Sequence, residues 1–127
     1  MIFIVDDSPN DIELTVIALE ATGHKVDIRS ATDGKSALAM LRNGLGVPAL
    51  MLLDLKMPGM SGIEVLREIR ADRRLKDLPV VVVTSSALES DKVESIAAGA
   101  SDYIQKPLAL HQFSKALESI LRRWLPS

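Results

Sequence analysis

Two runs of the chain, Met51-Leu52-Leu53 and Val80-Val81-Val82-Val83, are apolar at every position. A strand with one face in water alternates apolar and polar residues, so uninterrupted runs like these must be covered on both faces. In a short chain the covering layers are helices, and the strands between them lie parallel. Segments with helical spacing do separate the strand-like runs. After a strand at 2–5, Ser8 suits the N-cap and Pro9 the first position of a helix reaching about Thr22, where Gly23 stops it. A second strand is read at roughly 25–30, then a helix capped by Asp33, with Ala37, Leu38 and Leu41 inward, that ends near Asn43-Gly44. Strand 49–53 is followed by a helix from Gly62 to Ala71 that spaces Val65, Leu66 and Ile69 for burial. Strand Val80–Val83, a helix Glu89–Ala98 ended by Gly99, a short strand Asp102–Ile104 and a helix over about 109–124 complete the pattern. The expectation is one α/β domain over 1–127, a three-layer, doubly wound sheet of five parallel strands.

Composition narrows the function. At 127 residues the chain can close one core, and it shows no repeat, linker or low-complexity tail that would suggest a second module. A formal charge of −2 argues against binding nucleic-acid backbones and points to protein partners. With no cysteine, thiol catalysis, disulfides and Cys-ligated zinc are excluded. No apolar run has membrane-spanning length, and the opening Met1-Ile2-Phe3-Ile4-Val5 turns acidic without a basic leader or cleavage site, which suits a cytoplasmic setting.

The strand ends carry the chemistry. Asp6-Asp7 close the first run, Asp54 closes the third, and Thr84 and Lys106 close the last two. In open α/β sheets ligands bind outside the carboxyl ends of the strands, where these residues fall. Several carboxylates drawn together repel one another unless a hard cation neutralises them, and Mg²⁺ takes carboxylates, carbonyls and water in an octahedron. A lysine ammonium and a threonine hydroxyl are suitable partners for phosphoryl oxygens. Each residue also has a plain structural use. Asp6 and Asp7 could begin a loop and cap the first helix, Asp54 could be a turn residue, and Lys106 a solvated loop lysine. Thr84 and Tyr103 suit strands on their own account, and Met57-Pro58-Gly59-Met60 is most simply a turn.

Taken in order and at these spacings, Val5-Asp6-Asp7, Leu53-Asp54 with Met57-Pro58-Gly59, Val83-Thr84-Ser85 and Tyr103-Ile104-Gln105-Lys106-Pro107 resemble the marks of a response-regulator receiver domain of two-component signalling. The resemblance covers essentially the whole chain. It implies the flavodoxin-like strand order 2-1-3-4-5, of which a chemotaxis regulator is a known example. It also implies that Asp54 accepts a phosphoryl group from a phosphohistidine on a histidine kinase or histidine phosphotransfer protein. Asp6, Asp7, Asp54 and the backbone carbonyl of Lys56 would then hold Mg²⁺, while Thr84 and Lys106 engage the phosphoryl oxygens. Thr84 and Tyr103 would form the switch, changing a surface on the last two helices and the strand between them that a downstream protein reads. The Lys106-Pro107 bond is expected to be cis. Such a receiver, without an attached output domain, is a signalling protein rather than a substrate-turnover enzyme, catalysing only its own phosphorylation and dephosphorylation.

Three features go beyond that pattern. Lys56 and Ser86 stand two residues beyond Asp54 and Thr84, positions at which members of the family tune dephosphorylation; the resemblance therefore implies that they modulate it here, with Lys56 pairing with the phosphoryl group and excluding water. A solvated lysine is the competing reading. On the first helix, Leu14, Ile17, Ala18 and Ala21 form one apolar face and Ile12, Val16 and Leu19 another. The first set is expected in the core, leaving the second as a docking strip for a histidine-bearing helix pair or a homodimer contact. On the last helix Leu110, Phe113, Leu117, Ile120 and Leu121 are expected inward, with Trp124 near its end. Neither His24 nor His111 is assigned to the site. Two other classes are built on a similar sheet: an aspartyl-phosphate hydrolase, whose Asp-x-Asp pattern and cap are missing, and an FMN binder, whose phosphate Asp6-Asp7 would repel. A phosphorylation-independent adaptor is disfavoured by the complete acidic, threonine and lysine set.

Overall fold

The computed structural model describes residues 1–106 and 109–125. Five strands, β1 (Ile2–Val5), β2 (Ile28–Ala31), β3 (Leu50–Leu53), β4 (Val80–Thr84) and β5 (Asp102–Gln105), pair in parallel in the order β2-β1-β3-β4-β5. Between and after them run α1 (Pro9–Ala21), α2 (Gly34–Arg42), α3 (Gly62–Ala71), α4 (Glu89–Ala97) and α5 (Leu110–Trp124). This is the expected flavodoxin-like α/β fold.

Strand side chains alternate between two apolar layers. Phe3, Val5, Met51, Leu53 and Val80 join Leu38, Leu41, Leu66 and Ile69 of α2 and α3 on one face. Ile2, Ile4, Leu50, Leu52, Val81 and Val83 join Leu19 of α1 and Phe113, Leu117 and Leu121 of α5 on the other. Both layers are buried, which is why β1, β3 and the Val80–Val83 part of β4 need no polar positions. Burying each large aliphatic side chain contributes about 1.5–3 kcal/mol, so these layers hold the sheet rigid beneath its functional end.

Local signals set the helix starts. Ser8, Asp33 and Ser61 each accept a backbone N–H three residues on, from Asp11, Ser36 and Glu64. Gly62 at the start of α3 is seated so tightly against the loop after β3 that a Cβ there would stand 2.1 Å from the Asp54 carbonyl oxygen. Only glycine lets the helix approach this closely.

Three expectations are corrected. The second strand begins at Ile28, not 25, because residues before Asp27 approach the edge of the sheet without joining the ladder; the Asp27 carbonyl takes the Ile2 N–H at 2.8 Å. On α1 the faces are reversed. Leu14 (53% exposed), Ile17 (40%) and Ala21 face solvent, while Ile12, Val16 and Leu19 lie on the core, with Ala18 and Thr15 buried beside them. The helix is apolar on both sides, so periodicity does not choose between them. Thr15 is acceptable inside because its hydroxyl donates to the Asp11 carbonyl at 2.9 Å. The strip proposed for docking is therefore core, and Val16→Glu would disturb packing rather than a free surface. On α5, Leu110 is exposed at 48%, standing in the first turn beyond the reach of the sheet, whereas Phe113, Leu117, Ile120 and Leu121 are buried as expected. The Lys106-Pro107 peptide bond, expected to be cis, lies outside the described residues.

Candidate functional site

Parallel pairing carries the site residues to one end of the sheet. Val5 is level with Leu53, so Asp6 and Asp54, the next residue of each strand, emerge side by side, with the Asp54 N–H on the Val5 carbonyl at 2.9 Å. Thr84 is level with Gln105, and its carbonyl takes the Lys106 N–H at 2.6 Å. Oxygens of Asp6, Asp7 and Asp54 lie within 4.8 Å of one another. Asp6 and Asp54 are buried at 5% and 8% exposure and Asp7 is exposed, so the cluster opens to water on one side only.

One cation answers the cluster directly. The Lys106 Nζ donates to Asp6 Oδ2 and to Asp11 Oδ2, each at 3.1 Å. Burial alone would depress the Lys106 pKa, but the hydrogen bonds and charges of Asp6 and Asp11 outweigh it and the pKa rises. The lysine is held charged. Asp54 goes the other way for a carboxyl. Burial and the neighbouring Asp6 charge push its pKa up to about 6, against the opposing pull of Lys106, the Thr84 hydroxyl and the Leu55 amide. The Leu55 N–H binds Asp54 Oδ1 at 2.9 Å, and the Ser8 N–H binds Asp6 Oδ1 at 3.0 Å, which fixes how the two carboxylates face.

This oxygen set fits a hard divalent cation. It offers three carboxylates, two of them buried and repelling, one open side for water or a phosphoryl oxygen, and no sulfur or imidazole. Thr84, fully buried, accepts the Ser86 N–H at 3.3 Å. The Tyr103 hydroxyl donates to the Ser86 carbonyl at 3.1 Å, so the two expected switch residues meet through a single loop residue. Lys56 reaches Asp91 at 3.1 Å, and Ser86 donates to the same Asp91 oxygen. Reading strand ends brought together Asp6, Asp7, Asp54, Thr84 and Lys106, but missed Asp11, Asp91 and Gly62. An acidic residue in the first turn of a helix, as Asp11 and Asp91 are, is the only signal that could have found two of them. His24 lies away from the site, 3.2 Å from Glu118.

The family model described as response regulator receiver domain matches residues 2–118. The chain belongs to the response regulator receiver family. This receiver is 37% identical over 122 residues to the chemotaxis protein CheY of Pseudomonas aeruginosa, covering 96% of both chains. It is 34% identical to the phosphate regulon transcriptional regulatory protein PhoB of the same organism, covering 98% of this chain but 53% of that one. The receiver thus spans about half the length of that regulator. Among solved structures, the phosphorylated cyanobacterial phytochrome response regulator RcpA superposes with a TM-score of 0.87 at 36% identity, covering 98% of this chain and 92% of that one. The Mn(2+)-bound form of response regulator Rcp1 gives 0.85 at 34% identity, covering 99% and 94%. A receiver is a signalling protein of a phosphorelay, and acceptance of phosphate on an aspartate with Mg²⁺ is a general feature of the family. No helix among the described residues is long and apolar enough to cross a membrane.

Proposed function

We propose that Asp54 is the residue phosphorylated in this receiver, in a cytoplasmic relay fed by a phosphohistidine on a histidine kinase or histidine phosphotransfer protein. The observation that carries this reading is the placement of Asp54, nearly buried at the carboxyl end of β3, with two further carboxylates within 4.8 Å. In the transfer an Asp54 carboxylate oxygen bonds to phosphorus, the phosphorus–nitrogen bond to histidine breaks, and the imidazole leaves. Attack requires the carboxylate, which burial and Asp6 disfavour. Asp6, Asp7, Asp54 and the carbonyl of Lys56 would hold Mg²⁺, which supplies charge neutralisation and a template for the phosphoryl oxygens. Lys106, already held charged, moves from carboxylate to phosphoryl oxygen without a proton transfer. Thr84 donates its hydroxyl to the phosphoryl group, and in doing so gives up the Ser86 N–H. Tyr103 then loses the Ser86 carbonyl it binds now and turns inward, changing the face of α4, β5 and α5 offered to a downstream protein. The same groups let the chain catalyse its own phosphorylation and hydrolysis, with Lys56 and Ser86 adjusting the second.

Intact-mass spectrometry after incubation with acetyl phosphate tests the assignment. A phosphoryl adduct that needs Mg²⁺ and is lost in Asp54→Asn is the expected result. A folded protein that forms no adduct, or one that persists in the variant, would remove Asp54 from this role.

A further inference from the structure

A carboxylate outside the receiver motifs ties together the two side chains that border the acceptor. Asp91 is the third residue of α4, and its Oδ2 takes Lys56 Nζ at 3.1 Å and Ser86 Oγ in a short hydrogen bond. The Asp91 side chain is 15% exposed and that of Lys56 62%, so the carboxylate is the fixed member and the lysine the free one. The Asp91 main chain is fixed as well, its carbonyl accepting the Ser95 hydroxyl at 2.7 Å. Lys56 therefore rests on α4, whereas Lys106 rests on Asp6 and on Asp11 of α1. Ser86, held by the same oxygen, presents its N–H to Thr84 and its carbonyl to Tyr103.

We propose that Asp91 is a positioning residue for hydrolysis of the phosphoryl group on Asp54, acting by holding Lys56 away from the phosphoryl oxygens; the inference rests on the acceptor reading above. In hydrolysis the oxygen of water bonds to phosphorus and the phosphorus–Asp54 oxygen bond breaks. The carboxylate is regenerated and inorganic phosphate leaves, the proton of water passing to phosphate or solvent. An ammonium lying over the phosphoryl group would obstruct that water and shield the charge it must meet. Asp91 competes for this ammonium, and because it keeps Ser86 as a second partner it does not follow the lysine inward. Release of Lys56 from Asp91 therefore lengthens the life of the phosphorylated form.

The test is a double-mutant cycle. Wild type, Asp91→Asn, Lys56→Met and the double variant are phosphorylated with acetyl phosphate and Mg²⁺, the donor is removed, and decay is followed by intact mass. Asp91→Asn is expected to slow decay about two- to fivefold, the range an exposed ion pair can supply, and to have no effect in the Lys56→Met background. Decay that is unchanged in Asp91→Asn, or changed equally in both backgrounds, overturns the proposal. If wild type takes no phosphoryl group, the acceptor reading fails, and the contact itself is still decided on the unmodified chain by ¹⁵N NMR of the Lys56 ammonium. Its Nζ–H protons should exchange slowly in wild type and lose that protection in Asp91→Asn. Ammonium signals that are identical in the two overturn the clamp whatever Asp54 does.

Discussion

Two lysines belong to the strand ends around Asp54, the proposed acceptor, and each ends 3.1 Å from a carboxylate oxygen. Their surroundings make them different instruments. The Lys106 side chain is 15% exposed and lies between Asp6 and Asp11, whereas that of Lys56 is 62% exposed with Asp91 as its partner. Inside, solvent screening is weak and an unmatched charge is expensive; at the rim, water replaces a lost partner at little cost. The same contact distance thus marks a fixed part of the site in one case and a movable one in the other. Distance alone does not rank interactions; burial does.

The largest effect expected is on the interior side. Lys106→Met leaves Asp6 buried beside Asp54 without its cation, and breaking such a pair costs about 3–5 kcal/mol. Urea unfolding in divalent-free buffer measures this, and added Mg²⁺ should recover part of the loss by replacing the missing charge. A loss below about 1 kcal/mol would make Lys106 another surface lysine and dissolve the contrast.

Next in size is the response of the fold to pH. Burial and the Asp6 charge push the Asp54 pKa up to about 6 in the folded chain from the ordinary 3.8. Its folded pKa is raised, so the fold favours the protonated form. That stability is fully present below about pH 4, is lost as pH rises through 6, and amounts to about 2–3 kcal/mol at 1.36 kcal/mol per unit. Asp54→Asn cannot ionise. It should match wild type in stability near pH 4 and exceed it by this amount at pH 8 without Mg²⁺, as read from unfolding midpoints across pH. A constant difference across that range would mean that Asp54 is not strained by its neighbours.

The contrast between interior and rim also explains what the sequence made legible. Asp6, Asp54 and Thr84 could be found because each ends a run whose apolar continuity announces a buried strand, and parallel pairing leaves such ends no other place to gather; Lys106, after the mixed strand Asp102–Gln105, was legible only through the motif around it. The outward side of α1 could not be found. Leu14 and Ile17 are as apolar as Val16 and Leu19, and the side that faces inward is settled by packing against α5 and the sheet. β2 was misplaced at its start because an edge strand with exposed Arg29 and Ser30 carries little pattern. Asp11 and Asp91 were hidden by a sufficient local reason to exist. An acid in the first turn of a helix favours the helix dipole, so neither demanded another use until the fold set it against a lysine.

Asp11 tests how far the interior extends. Its side chain is 42% exposed, against 8% for the side chain of Asp6, yet it shares the same ammonium. Asp11→Asn keeps the shape and an acceptor oxygen but removes the charge, and should cost about 1 kcal/mol while Lys106 retains Asp6. Its more informative consequence is for phosphorylation. Lys106 freed of one carboxylate is more available to a phosphoryl oxygen, so the yield of adduct at limiting acetyl phosphate should rise. A fall in yield would mean that Asp11 aims the lysine rather than competes for it.

The smallest effect belongs to the rim and gives the sharpest form of the comparison. Lys56→Met should change stability by less than about 0.5 kcal/mol, because an exposed ammonium gains little from one carboxylate after its own ordering is counted. Salt separates the two lysines further. At about 1 M ionic strength the screening length falls to roughly 3 Å, which removes what the Lys56–Asp91 pair contributes but reaches the Lys106 triad far less, since little water and few ions have access to it. Urea melts of Lys56→Met and Lys106→Met at low and high salt should therefore show the first difference vanish and the second persist. If both fade together, the interior site is wetter than its burial indicates, and Lys106 is held by the same weak, exchangeable attraction as Lys56. If neither fades, the rim lysine is fixed on Asp91 too firmly to act as the movable partner of the phosphoryl group.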